Sequence, residues 1–396
     1  MKEVFTEGHI AGIRLKNKII RSATHEGLAD VFGNPTDALA ERYEALAKGA
    51  VGAIITGYAA IMQNGKSPLA NMLMLDTDEK IPYYQKLVDR VHQHNTPIFI
   101  QITHCGRQTF SRLTGLPTVA PSSLKDKLFN EDIPHELNES EINEIIGNFV
   151  NAIERAQKAG FDGVQLQFSH GYLLSSFLSP HMNKRRDKWG GSTENRFRII
   201  KEIMEKARGK VGAYPIIAKI NGYEKSGDGL KLEEAVLIAK YLEKSGCDAI
   251  EISCGIAEEG FMALRGEFPF AMIAKHNPLM KRVPKLFYPV VKLILKHYLT
   301  SPEPRYLFNV ASAMEIKKNV SIPVIVVGGI RSLADIENII RNEQSDFVSM
   351  AKPFIIEPAI VKKFMEGKQA QSRCLDCNYC QIGIEKSSLR CYYGRI

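Results

Sequence analysis

Gln167, His170 and Tyr172 fall within six consecutive positions at the end of one short apolar run, Gly163–Phe168. A carboxamide, an imidazole and a phenol so grouped can grip a carbonyl oxygen by hydrogen bonds and supply a proton beside it. The plainer alternative is a polar cluster that satisfies itself at a strand end. Cysteine is concentrated just as sharply. Four of the seven, Cys374, Cys377, Cys380 and Cys391, lie close together near the end of the sequence. Four thiolates suffice for one iron–sulfur cluster or one zinc ion. In a chain of 396 residues the spacing reads as a metal set rather than a disulfide scaffold. An empty or redox-active thiol group is the third alternative.

Such side chains need elements that end where they stand. The run Val164-Gln165-Leu166-Gln167-Phe168 reads as a buried strand. A Gly/Pro/Arg-rich loop follows, and Ser192-Thr193-Glu194 opens an amphipathic helix towards Arg208. The same order recurs along the chain. Strands are predicted at Lys18–Thr24, Val51–Ala59, Pro97–Thr103, Gly163–Phe168, Pro215–Gly222, Ala249–Ser253, Pro323–Gly329 and Asp346–Lys352. Helices fit between them at Ala38–Lys48, Glu79–Asn95, Ser140–Ala159, Thr193–Val211, Leu232–Ser245, Tyr306–Lys318, Ser332–Arg341 and Pro358–Met365. Several strands are apolar on both parities, as strands buried on both faces are. Eight β-α units imply an α/β fold of the (β/α)8 TIM-barrel type, whose active site gathers at the C-terminal strand ends. A doubly wound sheet is the rival. No G-x-G-x-x-G opens a helix here, so no dinucleotide-binding domain is expected. Residues 1–367 are assigned to the barrel and 368–396 to a cysteine-rich tail.

The composition, 44% hydrophobic and 24% charged, is that of a globular chain with a real core. A formal net charge of +8 is too mild to call for nucleic acid. No apolar run approaches the ~20 residues of a transmembrane segment. The start, MKEVFTEGHIAGIRLKNKII, lacks a secretory pattern, so the cytoplasm is the expected location.

The stretch HGYLLSSFLSPHMNKRRDKWGGSTENRFR, together with Gln101-Ile102-Thr103-His104-Cys105-Gly106-Arg107, resembles the signatures of the Old Yellow Enzyme (NADH:flavin oxidoreductase) family. Those proteins are FMN-containing barrels that mostly reduce activated C=C bonds. The resemblance implies FMN, NAD(P)H as electron donor, and an unsaturated small-molecule substrate. It places Ala23, Thr24 and His25 along the flavin, in positions where the family often has Pro, Met or Leu, then Cys or Thr. Gly57 would let a flat ring approach the backbone. Gln101 offers a donor and an acceptor to the flavin pyrimidine. Lys219 falls where the family carries a cation beside flavin N1 and O2, which would raise the flavin potential. Gln167 and His170 stand for the family's carbonyl-gripping pair, and Tyr172 for its proton donor. Gly328, Gly329, Ala351 and Lys352 would hold the FMN phosphate, with Ala351-Lys352 replacing the family's Gly-Arg.

The tail is similar to the four-cysteine [4Fe–4S] motif of relatives of bacterial 2,4-dienoyl-CoA reductase, with somewhat different spacing. A cluster there implies an external electron donor, which a partner protein could be; zinc is the alternative. Oxidative amine chemistry on the same scaffold, or a flavin/iron–sulfur subunit serving a redox protein, are the rival functions, and a homo-oligomer is the expected assembly. One stretch has no family role. Residues 268–302 contain no acidic residue, but carry Lys275, Lys281, Arg282, Lys285, Lys292 and Lys296, and Pro289 can start a helix. Assigned as a basic cap over 268–304, it is open to three readings: a helix packed on the barrel, a lid that attracts an anionic substrate, or a membrane-surface or partner-contacting helix.

Overall fold

A computed structural model describes residues 2–129, 131–277, 279–298, 302–385 and 387–394. Eight parallel strands form its centre: β1 (Ile19–Arg21), β2 (Ala53–Ile55), β3 (Ile98–Thr103), β4 (Gly163–Phe168), β5 (Ile216–Asn221), β6 (Ala249–Ser253), β7 (Val324–Val327) and β8 (Phe347–Met350). Each pairs with its sequence neighbour, and β8 pairs back onto β1, which closes the barrel. Register pairs such as Gln165 with Gln101, and Gln167 with Lys219, bring polar residues of adjacent strands level with one another.

The helices expected between the strands are present: α1 (Asp37–Lys48), α2 (Ile81–His92), α3 (Glu139–Lys158), α4 (Thr193–Val211), α5 (Leu232–Lys244), α6 (Val310–Lys317), α7 (Leu333–Arg341) and α8 (Ile360–Met365). Their starts follow local chemistry. Asn138 and Glu141 form a reciprocal capping box at α3, and the Ser192 hydroxyl accepts from the Asn195 N–H at α4. Along α3, Ile142, Ile145, Ile146, Phe149 and Ile153 make a helical-period stripe buried against the strands.

Inside the barrel the strands alternate. Outward apolar residues meet the helices, while the inward ones near the strand starts form a separate cluster of Ile20, Ala53, Phe99, Ile217, Ile325 and Phe347. Ile10 and Leu15, from the hairpin of Gly8–Ile10 and Ile13–Leu15, join that cluster and plug the lower end. This hairpin had no counterpart in the expected strands.

Two predicted elements changed shape. The strand foreseen over Val51–Ala59 is β2 followed by a separate pair, Ala59–Ala60, which bonds to the end of β3. The helix foreseen from Tyr306 starts at Val310, because the preceding turn packs over Gly328 and Gly329. No described helix is long and apolar enough to cross a membrane.

Candidate functional site

Above the apolar floor the inward positions turn polar. Gln101 of β3 donates to Gln165 of β4 at 2.7 Å, and Gln165 donates to the Glu251 carboxylate of β6 at 2.8 Å. Lys219 of β5 stands 3.2 Å from Glu251 and donates to the Ser22 hydroxyl at 2.9 Å. Ser22 and Ser349 complete the set, donating to the other Glu251 oxygen at 2.7 and 2.6 Å. All of these side chains are buried. A buried carboxylate is tolerable only when paired and fully hydrogen-bonded, and Glu251 is both. Burial alone would raise its pKa; Lys219 and the bonds from Ser349, Ser22 and Gln165 outweigh that and hold it below the ordinary value.

Glu251 and Gln165 were missed in the sequence. The available signal was period-2 alternation: Ala249-Ile250-Glu251-Ile252-Ser253 puts a carboxylate at an inward position of a buried strand.

One layer higher stand the carbonyl-gripping candidates. Ser169 donates to the Gln167 carbonyl at 2.9 Å, which turns the Gln167 NH2 towards His170 Nδ1, 3.2 Å away. His170 Nε2 then carries the proton and faces the Ser253 hydroxyl at 2.7 Å. Burial, and secondarily the charge of Lys219, push the His170 pKa down to about 3, so the ring is neutral. His170 has φ 66° and Gly171 φ 82°, which turns the chain sharply off β4. Bonds at both ends of the His170 peptide, from Gln108 to its carbonyl and from its N–H to Asn221, hold this conformation.

Tyr172 begins a short buried helix, Leu173–Leu178. Its ring lies 5.6 Å from Tyr58, whose other side stacks on His25 at 5.3 Å. Burial raises the Tyr172 pKa well above its usual value, so the phenol keeps its proton. His25 Nε2 donates to the Ala70 carbonyl at 3.1 Å, and burial lowers its pKa to about 4. His25 is thus joined to Tyr172 through Tyr58. Ala23, Thr24, His170, Tyr172, Gly329 and Ala351 are partly exposed around the buried Gln101, Gln167 and Lys219. A half-open rim over a floor of amide and ammonium donors suits a flat, polar-edged ring.

Three expectations are corrected. A side chain at Gly57 would strike the Glu26 carboxylate at 2.5 Å and the Thr24 carbonyl at 2.7 Å, so this glycine serves the approach of β1 to β2. At Gly328 and Gly329 the added carbon would meet Asn309 at 2.7 Å and the Tyr306 backbone at 2.6 Å, so the space beside them belongs to the 305–309 turn. The Lys352 ammonium lies 2.8 Å from Asp376 and donates to the carbonyls of Leu264 and Arg265 at 2.8 and 3.0 Å. An ammonium has three N–H donors, so these partners occupy it, and Lys352 anchors the tail rather than clamping a phosphate.

The tail packs on the barrel rim. Asp376 also pairs with Arg331 at 3.3 Å, and the buried Asn378 side chain donates to the carbonyls of Arg265 and Glu267 at 2.9 and 3.0 Å. Asp376 and Asn378 both adopt left-handed backbone, φ 53° and 58°, a conformation their short polar side chains tolerate. All four tail cysteines line a single cavity with Ile355, Ile356 and Tyr392. No group of three or more His, Cys, Asp or Glu among the described residues converges as a single-ion site. A zinc tetrahedron would need sulfurs roughly 3.8 Å apart.

The profile of the family described as "NADH:flavin oxidoreductase / NADH oxidase family" matches residues 3–277. An NADH oxidase of Thermoanaerobacter brockii is 35% identical over 394 residues, 98% of this chain and 55% of its own length. An NADPH dehydrogenase of Listeria monocytogenes is 34% identical over 258 residues, 64% of this chain and 74% of its own. Among solved structures, a 2-naphthoyl-CoA reductase complex superposes with TM-score 0.84 at 24% identity, covering 98% of this chain and 56% of that one. An old yellow enzyme homologue from Zymomonas mobilis superposes with TM-score 0.75 at 21% identity, covering 94% and 95%. These superpositions show the shared fold. The chain spans about half the length of the first curated relatives it matches, 55% and 51%. With the barrel, the signature stretch and the matched residues in agreement, the chain belongs to the NADH:flavin oxidoreductase / NADH oxidase family.

Proposed function

We propose that the chain reduces an activated C=C bond in an α,β-unsaturated carbonyl or enoyl compound. The observation that carries this reading is the Tyr172 phenol, kept protonated and set on the half-open rim at the same strand end as the Gln167–His170 pair. FMN, when bound, supplies the hydride for such a reduction. Ala23, Thr24, Gln101 and Lys219, with the backbone at Ala351, are the residues that would hold it. His25 lies behind Tyr58 and would act on that site through Tyr58. The Gln167 NH2 has a second N–H beyond the one facing His170, and His170 Nε2–H can exchange Ser253 for a substrate oxygen. Both are neutral donors, so they polarise a carbonyl without a full charge. Tyr172 Oη would give its proton to the substrate α-carbon.

A second observation extends this reading. Cys374, Cys377, Cys380 and Cys391 line one cavity, and four thiolates are the number that a [4Fe–4S] cluster takes, with zinc as the alternative. Electrons would then arrive from NAD(P)H directly or from a donor protein through the tail.

Anaerobic turnover of cyclic enones and enoyl thioesters tests the proposal. Tyr172→Phe should lower C=C reduction by about 10²-fold or more while flavin content stays unchanged. Undiminished turnover in that variant would remove Tyr172 as the acid. Turnover of amines in place of enoates would replace the reductive reading with the oxidative one.

A further inference from the structure

The basic insert is the one sequence feature that the flavin chemistry does not absorb. Its first helix, Phe270–His276, packs against the tail helix Tyr379–Gly383. Its second, Tyr288–Tyr298, starts at Tyr288-Pro289 and leans on the first through a T-shaped contact of Tyr288 with Phe270, 5.7 Å between centroids. Val291 and Leu295 are partly buried on that inner side.

The outer side is not packed. Leu286, Phe287, Val290, Leu293 and Ile294 recur at helical spacing and are exposed, Leu286 at 84% and Leu293 at 71%. Lys285, Lys292 and Lys296 form a row along one edge of this stripe, and Lys275, Lys281 and Arg282 are exposed on the same insert. Among the described residues the helix leaves this second apolar stripe uncovered, beyond the side that packs on the insert.

We infer that the insert, centred on Tyr288–Tyr298, is a docking face for an anionic lipid surface. The charge pattern fits such a surface, because residues 268–302 carry six Lys and Arg and no carboxylate. The stripe itself contains no hydrogen-bond donor or acceptor side chain. A protein interface of its size would carry about one hydrogen bond per 100–200 Å², whereas acyl chains need none. With 11 residues the helix is far below the ~20 needed to span a bilayer, so it would lie in the interface plane with its lysines towards the headgroups. A second copy of this chain would bring an equally basic insert against this one.

Co-sedimentation of the full flavin-loaded protein with vesicles tests the inference. Phosphatidylglycerol vesicles should pull the protein down at low salt, and phosphatidylcholine vesicles should not. Lys292→Glu/Lys296→Glu should weaken that binding, since each lysine near an anionic surface accounts for roughly fivefold in partitioning. Leu286→Asp/Leu293→Asp, at exposed positions, should abolish it with flavin content unchanged. Absence of binding to phosphatidylglycerol, equal binding to both lipids, or full binding by the aspartate variant would overturn the inference. So would light scattering that shows an oligomer dissociated by Leu286→Asp/Leu293→Asp in a protein that ignores vesicles; the stripe would then belong to a second copy.

Discussion

The barrel interior and the cysteine tail both gather polar side chains around a centre, but they are held in opposite ways. In the barrel, Gln101, Gln165, Lys219, Glu251, Ser22 and Ser349 bond to one another across the strands and satisfy a buried carboxylate. In the tail, the four cysteines line a cavity, and the bonds that place them run outward, through Asp376 and Asn378, to the barrel rim. The first centre is preorganised by the protein; the second takes its order from the rim and, under the proposed reading, from the metal its thiolates would bind. Loss of flavin should therefore leave the barrel folded, whereas loss of metal should loosen the tail.

The sharpest way to break this contrast is to unpair the barrel charge. Lys219→Met leaves the Glu251 carboxylate buried without its cation and should cost about 3–5 kcal/mol, read as a lower urea midpoint at unchanged slope. A loss below about 1 kcal/mol would show that the layer is not preorganised.

Acid should act on the barrel next. His25, His104 and His170 have pKa values lowered to about 4, 3 and 3, each by burial first. Between those values and the ordinary ~6.5 of unfolded histidine, the unfolded chain binds protons that the native chain refuses. Stability should fall as pH drops below about 6.5 and level off only near the folded values. The thermal midpoint between pH 7 and 4.5 checks this, and His104→Gln should flatten the slope. An unchanged slope in that variant would contradict the assignment.

A tail change should separate the two regions. Lys352→Met removes the ion pair to Asp376 and the bonds to Leu264 and Arg265. Bound iron should fall while flavin content and the barrel midpoint hold. Loss of flavin instead would restore Lys352 as a phosphate clamp.

The smallest effect concerns tuning. Glu251→Gln leaves Lys219 uncompensated beneath the ring site, so the flavin potential should rise, by roughly 30 mV for each 1.4 kcal/mol of electrostatic change. A potential that stays put or falls would place the flavin away from this pair.

Much of the barrel was legible because its signals are local. Gly163–Phe168 and Ala249–Ser253 are short apolar runs with clear ends, and Ser192 caps α4 where the sequence says it should. Gln167, His170 and Tyr172 share one strand end, so their proximity followed from the strand itself. What stayed hidden depends on long-range placement. Glycine at 57 or 329 announces that a side chain would clash, but not with which neighbour. Lys352 announces a cation, yet its flexible stem gave no hint that Asp376, far along the chain, would claim it. The exposed stripe of the Tyr288–Tyr298 helix was masked for a similar reason: its sequence has two apolar faces, and only packing decides which one is covered.

The central claim is a flavin held by the barrel and wired to a cluster in the tail. Anaerobic purification, followed by an absorption spectrum with flavin, iron and sulfide analysis, tests it most directly. The account predicts flavin bands and about four iron and four sulfide per chain. A folded protein that carries no flavin and takes none up, or one that carries flavin without iron and sulfide, would contradict it.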